Sequence, residues 1–281
     1  RAMAVSPGVV AVLQVTCTDD KEHNWQQCSS LVRRAAARGA QAVFLPEGFD
    51  FIGASPQQSL ALAEPLDGDI VGRYRQLARE CNVWLSLGGF HERGQDWDST
   101  GRIYNCHLLL DSSGVLVAAY RKLHLFEAAL PGQPGLREGS FTCAGRELLA
   151  PVATPVGKLG LAVCYDLRFP ELAQALREAG AQILSFPSAF TVPTGAAHWE
   201  VLLRARAIEC QCYVVAAAQT GWHNPARASF GHALVADPWG TVVAQCQEGP
   251  GLCLAQLDLA YLEQVRRELP VHGHRRRDIF G

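Results

Sequence analysis

Short apolar runs recur along the chain, each closing on polar, Gly- or Pro-bearing residues: Val9–Val15, Ala42–Leu45, Val83–Leu87, Leu159–Val163 and Ile183–Phe186. Runs of this length without regular polar alternation read as buried strands. Between them lie stretches of helical period. Asp19–Arg38 carries Trp25, Cys28, Leu31, Val32, Ala35 and Ala36 at near-helical spacing and meets a stop at Gly39. Leu60–Cys81, Pro170–Ala179, His198–Cys210 and Ala260–Glu268 read as further helices, the third with Trp199, Leu202, Leu203, Ala207 and Ile208 on its apolar side. Ile103–Leu110 and Val115–Tyr120 are expected to be strands joined by the tight polar turn Asp111-Ser112-Ser113-Gly114. Tyr213–Ala218, Ala233–Val235, Val242–Ala244 and Leu252–Leu257 complete the strands. Strand, helix, strand at this pitch predicts crossover units and a layered α/β fold. No repeat, low-complexity segment or linker interrupts the pattern, so one domain is expected over 1–281, with a core at about 9–268 and a basic tail at about 269–281.

Composition narrows the function classes. A hydrophobic content of 48% with 19% charged residues suits a protein with a substantial core. A formal net charge of −2 gives no electrostatic reason to expect nucleic acid or an anionic membrane as partner. No run of about 18 apolar residues predicts a membrane span. The ten cysteines include no C-x-x-C, and Cys210-Gln-Cys212 is the tightest pair, so neither a zinc site nor a disulfide framework is indicated. Reduced thiols predict an intracellular protein, cytoplasmic or also mitochondrial if a leader has been removed.

Candidate chemistry gathers at strand ends. Glu47 follows Ala42–Leu45, Lys122 follows Val115–Tyr120, and Cys164 follows Leu159–Val163. A cysteine where a strand turns toward a helix is exposed at a sheet rim, with following N–H groups able to face developing negative charge. The three residue types are complementary: a carboxylate takes a thiol proton, and an ammonium favours the thiolate and then an oxyanion. Each residue alone also reads as something plainer: a turn glutamate, a solvated lysine, a core thiol. The Gly- and Pro-rich stretch Pro131–Gly145, with Glu138 inside it, is a candidate functional loop.

These segments resemble the nitrilase, or carbon–nitrogen hydrolase, superfamily, on Leu45-Pro46-Glu47, Tyr120-Arg121-Lys122-Leu123-His124 and Cys164-Tyr165-Asp166-Leu167-Arg168-Phe169-Pro170-Glu171. Gly88-Gly89-Phe90-His91-Glu92-Arg93, His198-Trp199-Glu200 and Asp237-Pro238-Trp239-Gly240 add a resemblance to its Nit branch. The resemblance implies a four-layer αββα sandwich that forms a homodimer, or a higher homo-oligomer, through helices flanking the cysteine strand. It implies Cys164 as nucleophile, Glu47 as general base, Lys122 and the Tyr165 N–H as oxyanion donors, and Glu138 as a second glutamate positioning lysine or substrate. It implies no metal and no cofactor. The substrate it implies is a small-molecule amide, deaminated glutathione, cleaved through a thioester to 2-oxoglutarate and Cys-Gly. The alternatives are an ω-amidase for 2-oxoglutaramate or 2-oxosuccinamate and, in another class, a scaffold or signalling protein akin to the Nit partners of Fhit.

An anionic keto-acid needs a cation in its pocket, and Arg168 is the candidate, with a structural ion pair as its other reading. His124, His198 and His232 read as structural residues, since a Glu–Lys–Cys set leaves no role for a Cys–His pair. His272-Gly273-His274 and Arg275–Arg277 read as a docked or solvated tail, and Cys210 and Cys212 as core thiols.

Overall fold

Along the first strand, β1 (Gly8–Val15), alternate side chains enter two separate cores. Val10 and Val12 join one hydrophobic cluster, while Ala11, Leu13 and Val15 join the other. A strand buried on both faces has no use for polar alternation, which is why its sequence reads as one apolar run.

The computed structural model describes residues 7–128 and 136–280. In chain order, β1 is followed by α1 (Lys21–Ala37), β2 (Ala42–Leu45), α2 (Pro56–Leu62), α3 (Asp69–Cys81), β3 (Trp84–Glu92), α4 (Trp97–Thr100), β4 (Tyr104–Leu110) and β5 (Leu116–Arg121). A small ribbon of β6 (Glu127–Ala128) and β7 (Leu136–Arg137) precedes β8 (Val152–Thr154), β9 (Gly157–Leu161), α5 (Pro170–Glu178), β10 (Ile183–Ser185), α6 (Val192–Cys210) and β11 (Tyr213–Ala216). Then come β12 (Ala218–Asn224), β13 (Arg227–Phe230), β14 (Leu234–Ala236), β15 (Val242–Gln245), β16 (Gly251–Leu257), α7 (Leu259–Glu268) and α8 (Arg277–Phe280).

Two sheets form the middle layers. One runs β13-β12-β1-β2-β3-β4-β5, with β16 pairing antiparallel along β1 from Gly8 to Gln14 and β12 taking the same edge only at Gln14 and Val15. The other runs β15-β14-β11-β10-β9-β8. Phe44, Leu109 and Tyr120 from the first sheet meet Leu159, Leu161 and Ile183 from the second in the core between them. Leu31, Val32, Tyr74 and Leu77 of α1 and α3 cover the outer face of the first sheet. Leu172 and Leu176 of α5, with Trp199 and Leu203 of α6, cover the second. The arrangement is the expected αββα sandwich.

Several boundaries differ from expectation, each for a local reason. Leu60–Cys81 is not one helix: Ala63 turns extended (φ −62°, ψ 146°) before Pro65, so α2 ends and α3 begins afresh at Asp69. β3 does not stop at Gly88-Gly89 but passes through it with a register shift between Leu87 and Phe90. Tyr213–Ala218 divides at Ala217, because the chain leaves the second sheet as β11 and enters the first as β12. The cysteine strand ends at Leu161, and Cys164 opens a 3-10 turn, Cys164–Arg168, before α5. α6 begins at Val192, where the Thr191 hydroxyl caps Thr194 N–H. β8 and β13 were not foreseen. Pro131–Gly135 of the expected loop lies outside the described residues.

Candidate active site

The β2, β5 and β9 strands end on the same side of the sandwich, and the residues that follow them converge. Glu47 comes two residues after β2, Lys122 one after β5, and Cys164 opens the turn beyond β9. The close approach is permitted by glycine. A Cβ on Gly88 would lie 2.0 Å from Pro187 Cβ, and one on Gly89, whose φ is +64°, would lie 2.6 Å from Glu47 Cγ.

Lys122 is buried with its Nζ 3.0 Å from Glu47 Oε1 and 2.9 Å from Glu138 Oε2. Asn105 on β4 ties the two carboxylates together, its Nδ2 donating to Glu47 Oε1 at 2.8 Å and to Glu138 Oε1 at 3.0 Å. Ala189 N–H donates to Glu47 Oε2 at 3.0 Å, and Phe126 N–H to Glu138 Oε2 at 2.7 Å. The Cys164 thiol lies beside the Glu47 carboxylate and the Ala189 N–H, close enough for both to act on its pKa. Cys164 holds φ +44°, a left-handed conformation costly for a residue with a Cβ, and its own N–H is bound by Pro187 O at 2.9 Å.

The charges follow from this packing. Burial alone would raise the Glu47 pKa, but the Lys122 charge and hydrogen bonds from Cys164, Asn105 and Lys122 hold it down at about 2. Burial and then the Glu47 charge push the Cys164 thiol up, against the pull of Lys122. Burial works against the Lys122 ammonium, yet Glu138 and Glu47 keep its pKa above the usual lysine value. The resting site is therefore carboxylate and thiol, not acid and thiolate. With two carboxylates around one ammonium, a thiolate would add a third negative charge unless its proton passes to Glu47.

Two donors remain for an oxyanion. Lys122 has three N–H bonds and spends two on Glu47 and Glu138. The Tyr165 N–H has no acceptor among the described residues. Glu47, Lys122, Glu138 and Cys164 line one cavity of about 770 Å³ together with Tyr165 and Arg168.

Glu138, in the 3-10 turn Glu138–Ser140, contacts Lys122 rather than the thiol. Arg168 makes no ion pair among the described residues; both Nη atoms lie 3.3 Å from His198 Nδ1, and the guanidinium stands 5.4 Å from the Phe190 ring centre. None of the three histidines hydrogen-bonds Cys164. His124 binds Asp166, His198 faces Arg168, and His232 stacks on Phe230. The tail is docked, with Arg275 and Arg277 on Glu178. Cys210 and Cys212 are buried free thiols.

Sequence reasoning missed Asn105, the Ala189 N–H and the lock beneath the cysteine. Asp166 accepts from Tyr120, His124 and the Val163 N–H, while His107 spans Ser86 Oγ at 2.6 Å and Ala162 O at 2.9 Å. Asn105 and His107 were visible as polar residues inside an otherwise apolar strand, where each must find a buried partner.

The carbon–nitrogen hydrolase family profile matches residues 9–267. The chain is a carbon–nitrogen hydrolase. Deaminated glutathione amidase of Homo sapiens is 62% identical over 286 residues, covering 100% of this chain and 88% of that protein. Among solved structures, the NitFhit protein of C. elegans has a TM-score of 0.93 at 51% identity, covering 99% of this chain and 67% of that one. A mutant of the amidase from Nesterenkonia sp. AN1, showing covalent addition of the acetamide moiety of fluoroacetamide at its active-site cysteine, has a TM-score of 0.77 at 27% identity, covering 95% and 97%. This carbon–nitrogen hydrolase thus shares its fold with an amidase whose cysteine is the site of covalent addition.

Proposed function

We infer that this carbon–nitrogen hydrolase cleaves the amide of deaminated glutathione, releasing 2-oxoglutarate and Cys-Gly. The observation that carries the reading is the cavity of about 770 Å³ above Cys164, in the size range of pockets that enclose a whole ligand. A leaving group of dipeptide size uses that room, whereas ammonia does not. The 62% identity to a deaminated glutathione amidase supports the same substrate.

Cys164 Sγ attacks the amide carbonyl as its proton passes to Glu47, so the new C–S bond forms without a free thiolate. The oxygen takes the negative charge and is met by the third Lys122 N–H and the Tyr165 N–H. Collapse breaks the C–N bond, Glu47 returns the proton to the departing nitrogen, and a thioester remains. Glu47 then takes a proton from water, hydroxide adds to the thioester, and the sulfur leaves and is reprotonated. Glu138 holds Lys122 in place through both steps. Arg168, with no carboxylate partner among the described residues, binds the carboxylate of the 2-oxo acid.

kcat/KM for deaminated glutathione should exceed that for 2-oxoglutaramate by about tenfold or more, a difference of about 1.4 kcal/mol in transition-state binding. The reverse order makes the enzyme an ω-amidase. Equal, merely residual activity in the wild type and Cys164→Ala sinks the catalytic account and leaves the scaffold standing.

A homodimer through α6 completes the reading. Val201 (67% exposed), Ile208 (51%) and Trp239 (58%) form an apolar face, with Arg204 Nε holding Gly240 O at 2.7 Å to fix the Trp239 turn on the helix. Light scattering should give twice the chain mass, and Val201→Glu should reduce it to one; a wild-type monomer overturns this.

A further inference from the structure

The β12–β13 hairpin overhangs the cavity, and its base is fixed from several sides. His223 joins Cys17 O and Ser229 Oγ, each at 2.7 Å, and Thr16 Oγ1 donates to Thr220 O at 2.7 Å. Phe230 N–H donates to Phe190 O at 3.0 Å, and Ser229 bridges Thr191, so β13 is tied to the segment whose Ala189 N–H holds Glu47. Gln219, near the start of β12, donates to Glu47 O at 3.0 Å and Gly48 O at 3.2 Å. The hairpin is therefore built onto the backbone of the general base.

Its outer part carries groups that folding does not explain. Trp222, Asn224 and Arg227 all line the cavity, although Trp222 is 69% exposed. Asn224 and Arg227 face each other in register, and a shift between Trp222 and Asn224 turns the strand there. Asn224 Oδ1 caps Ala226 N–H at 2.9 Å, which leaves its Nδ2 directed elsewhere. Among the described residues Asn224 Nδ2 has no acceptor, and half-buried Arg227 has neither an ion pair nor a side-chain hydrogen bond.

Glu47 delivers the proton to the leaving nitrogen, so the amine half of the substrate lies on the Glu47 side, where this hairpin is rooted. Arg168 lies instead on the turn that carries Cys164 and Tyr165. Two extended residues span at most about 7 Å, so the end of a dipeptide leaving group stays within the cavity.

We propose that Arg227 and Asn224 Nδ2, beside the Trp222 indole, form a subsite for a free carboxylate on the amine half of the scissile amide. The enzyme then selects peptide amides whose leaving group ends in a carboxylate about two residues from the cleaved bond. The fork of the guanidinium matches a carboxylate, and the Asn224 amide adds a neutral donor. This subsite rests on the reading of the protein as a hydrolase of peptide-like amides.

The test compares deaminated glutathione with the same compound amidated at its C-terminus, with 2-oxoglutaramate as a third substrate. In the wild type, kcat/KM for the free acid should exceed that for the C-terminal amide by about tenfold, equivalent to about 1.4 kcal/mol. Arg227→Ala should bring that ratio close to one, and Arg227→Lys should restore part of it. Each ratio is taken on one preparation, so partial unfolding of a variant cancels. An Arg227→Ala enzyme that keeps the wild-type ratio overturns the subsite and leaves the peptide-amide reading intact. A wild type that prefers 2-oxoglutaramate to both peptides overturns that reading, and the subsite with it.

Discussion

Glu47 and Asp166 are both buried carboxylates beside the turn that presents Cys164, yet they are filled differently. Asp166 is 0% exposed and takes four donors: Tyr120 OH at 2.8 Å, Val163 N–H at 2.9 Å, His124 N–H at 3.0 Å and His124 Nδ1 at 2.7 Å. A carboxylate offers about four lone-pair sites, so Asp166 is saturated by groups that stay put. Glu47 has three fixed donors, Lys122, Asn105 and Ala189 N–H, which leaves one site, with the Cys164 thiol as the neighbour that helps hold its pKa down. A saturated carboxylate fixes geometry, whereas one with a site left for a titratable donor can accept a proton. The distinction separates structure from chemistry more cleanly than burial does.

The comparison breaks most sharply at Glu47. Glu47→Gln keeps the size and an acceptor oxygen but cannot take the Cys164 proton, so kcat/KM should fall by about a thousandfold, within the range of general-base removal. The folded state should lose less than it does on substitution at Asp166, because Lys122 retains Glu138. Steady-state kinetics with a thermal melt read both quantities. A variant with more than a tenth of wild-type activity would show that the thiol loses its proton elsewhere. The acid side carries its own sign. The Glu47 pKa is lowered in the folded protein to about 2, so its stabilisation is present above the unfolded value and is lost as pH falls from about 4.5 toward 2. Glu47→Gln should flatten the melting temperature across that window.

The same distinction explains what the sequence could reveal. Glu47, Lys122 and Cys164 stood out because reactive residues closing apolar runs break the pattern that surrounds them. That all three close strands was legible, since sites gather at strand ends. Their meeting was not, because β2 and β5 lie in one sheet and β9 in the other, and only the packing of the two sheets brings the ends together. Asp166 sat in plain view two residues beyond the cysteine but carried no sign of saturation, since three of its four donors come from β5 and from the segment after it, over forty positions away. Asn105 showed as a polar residue in an apolar strand, but its role did not: one amide bridging two glutamates is a property of three distant segments. The division of Tyr213–Ala218 between two sheets was illegible because both halves are buried and apolar, leaving no polar mark where the chain crosses. Arg168 was a candidate already, as the cation four residues past the cysteine, whereas Arg227 was an ordinary charge in the sequence, and only the cavity gives the two a common setting.

The smaller effect tests the other half of the comparison. Asp166→Asn replaces two acceptor oxygens with one and turns an N–H2 group toward donors that have no other partner. Leaving buried donors unpaired costs about 1–3 kcal/mol each, so the variant should lose about 3 kcal/mol in a denaturant titration. The left-handed Cys164 backbone depends on the Val163 N–H contact two bonds from its own peptide, so some activity should go with the stability, within about tenfold. Tyr120→Phe grades the same loss, removing one donor while Val163 N–H remains on the same oxygen; about 1–2 kcal/mol is expected, with kcat/KM nearly unchanged. If Tyr120→Phe instead lowered kcat tenfold without moving the denaturation midpoint, Asp166 would be taking part in the chemistry. Saturation would then not mark a carboxylate as structural.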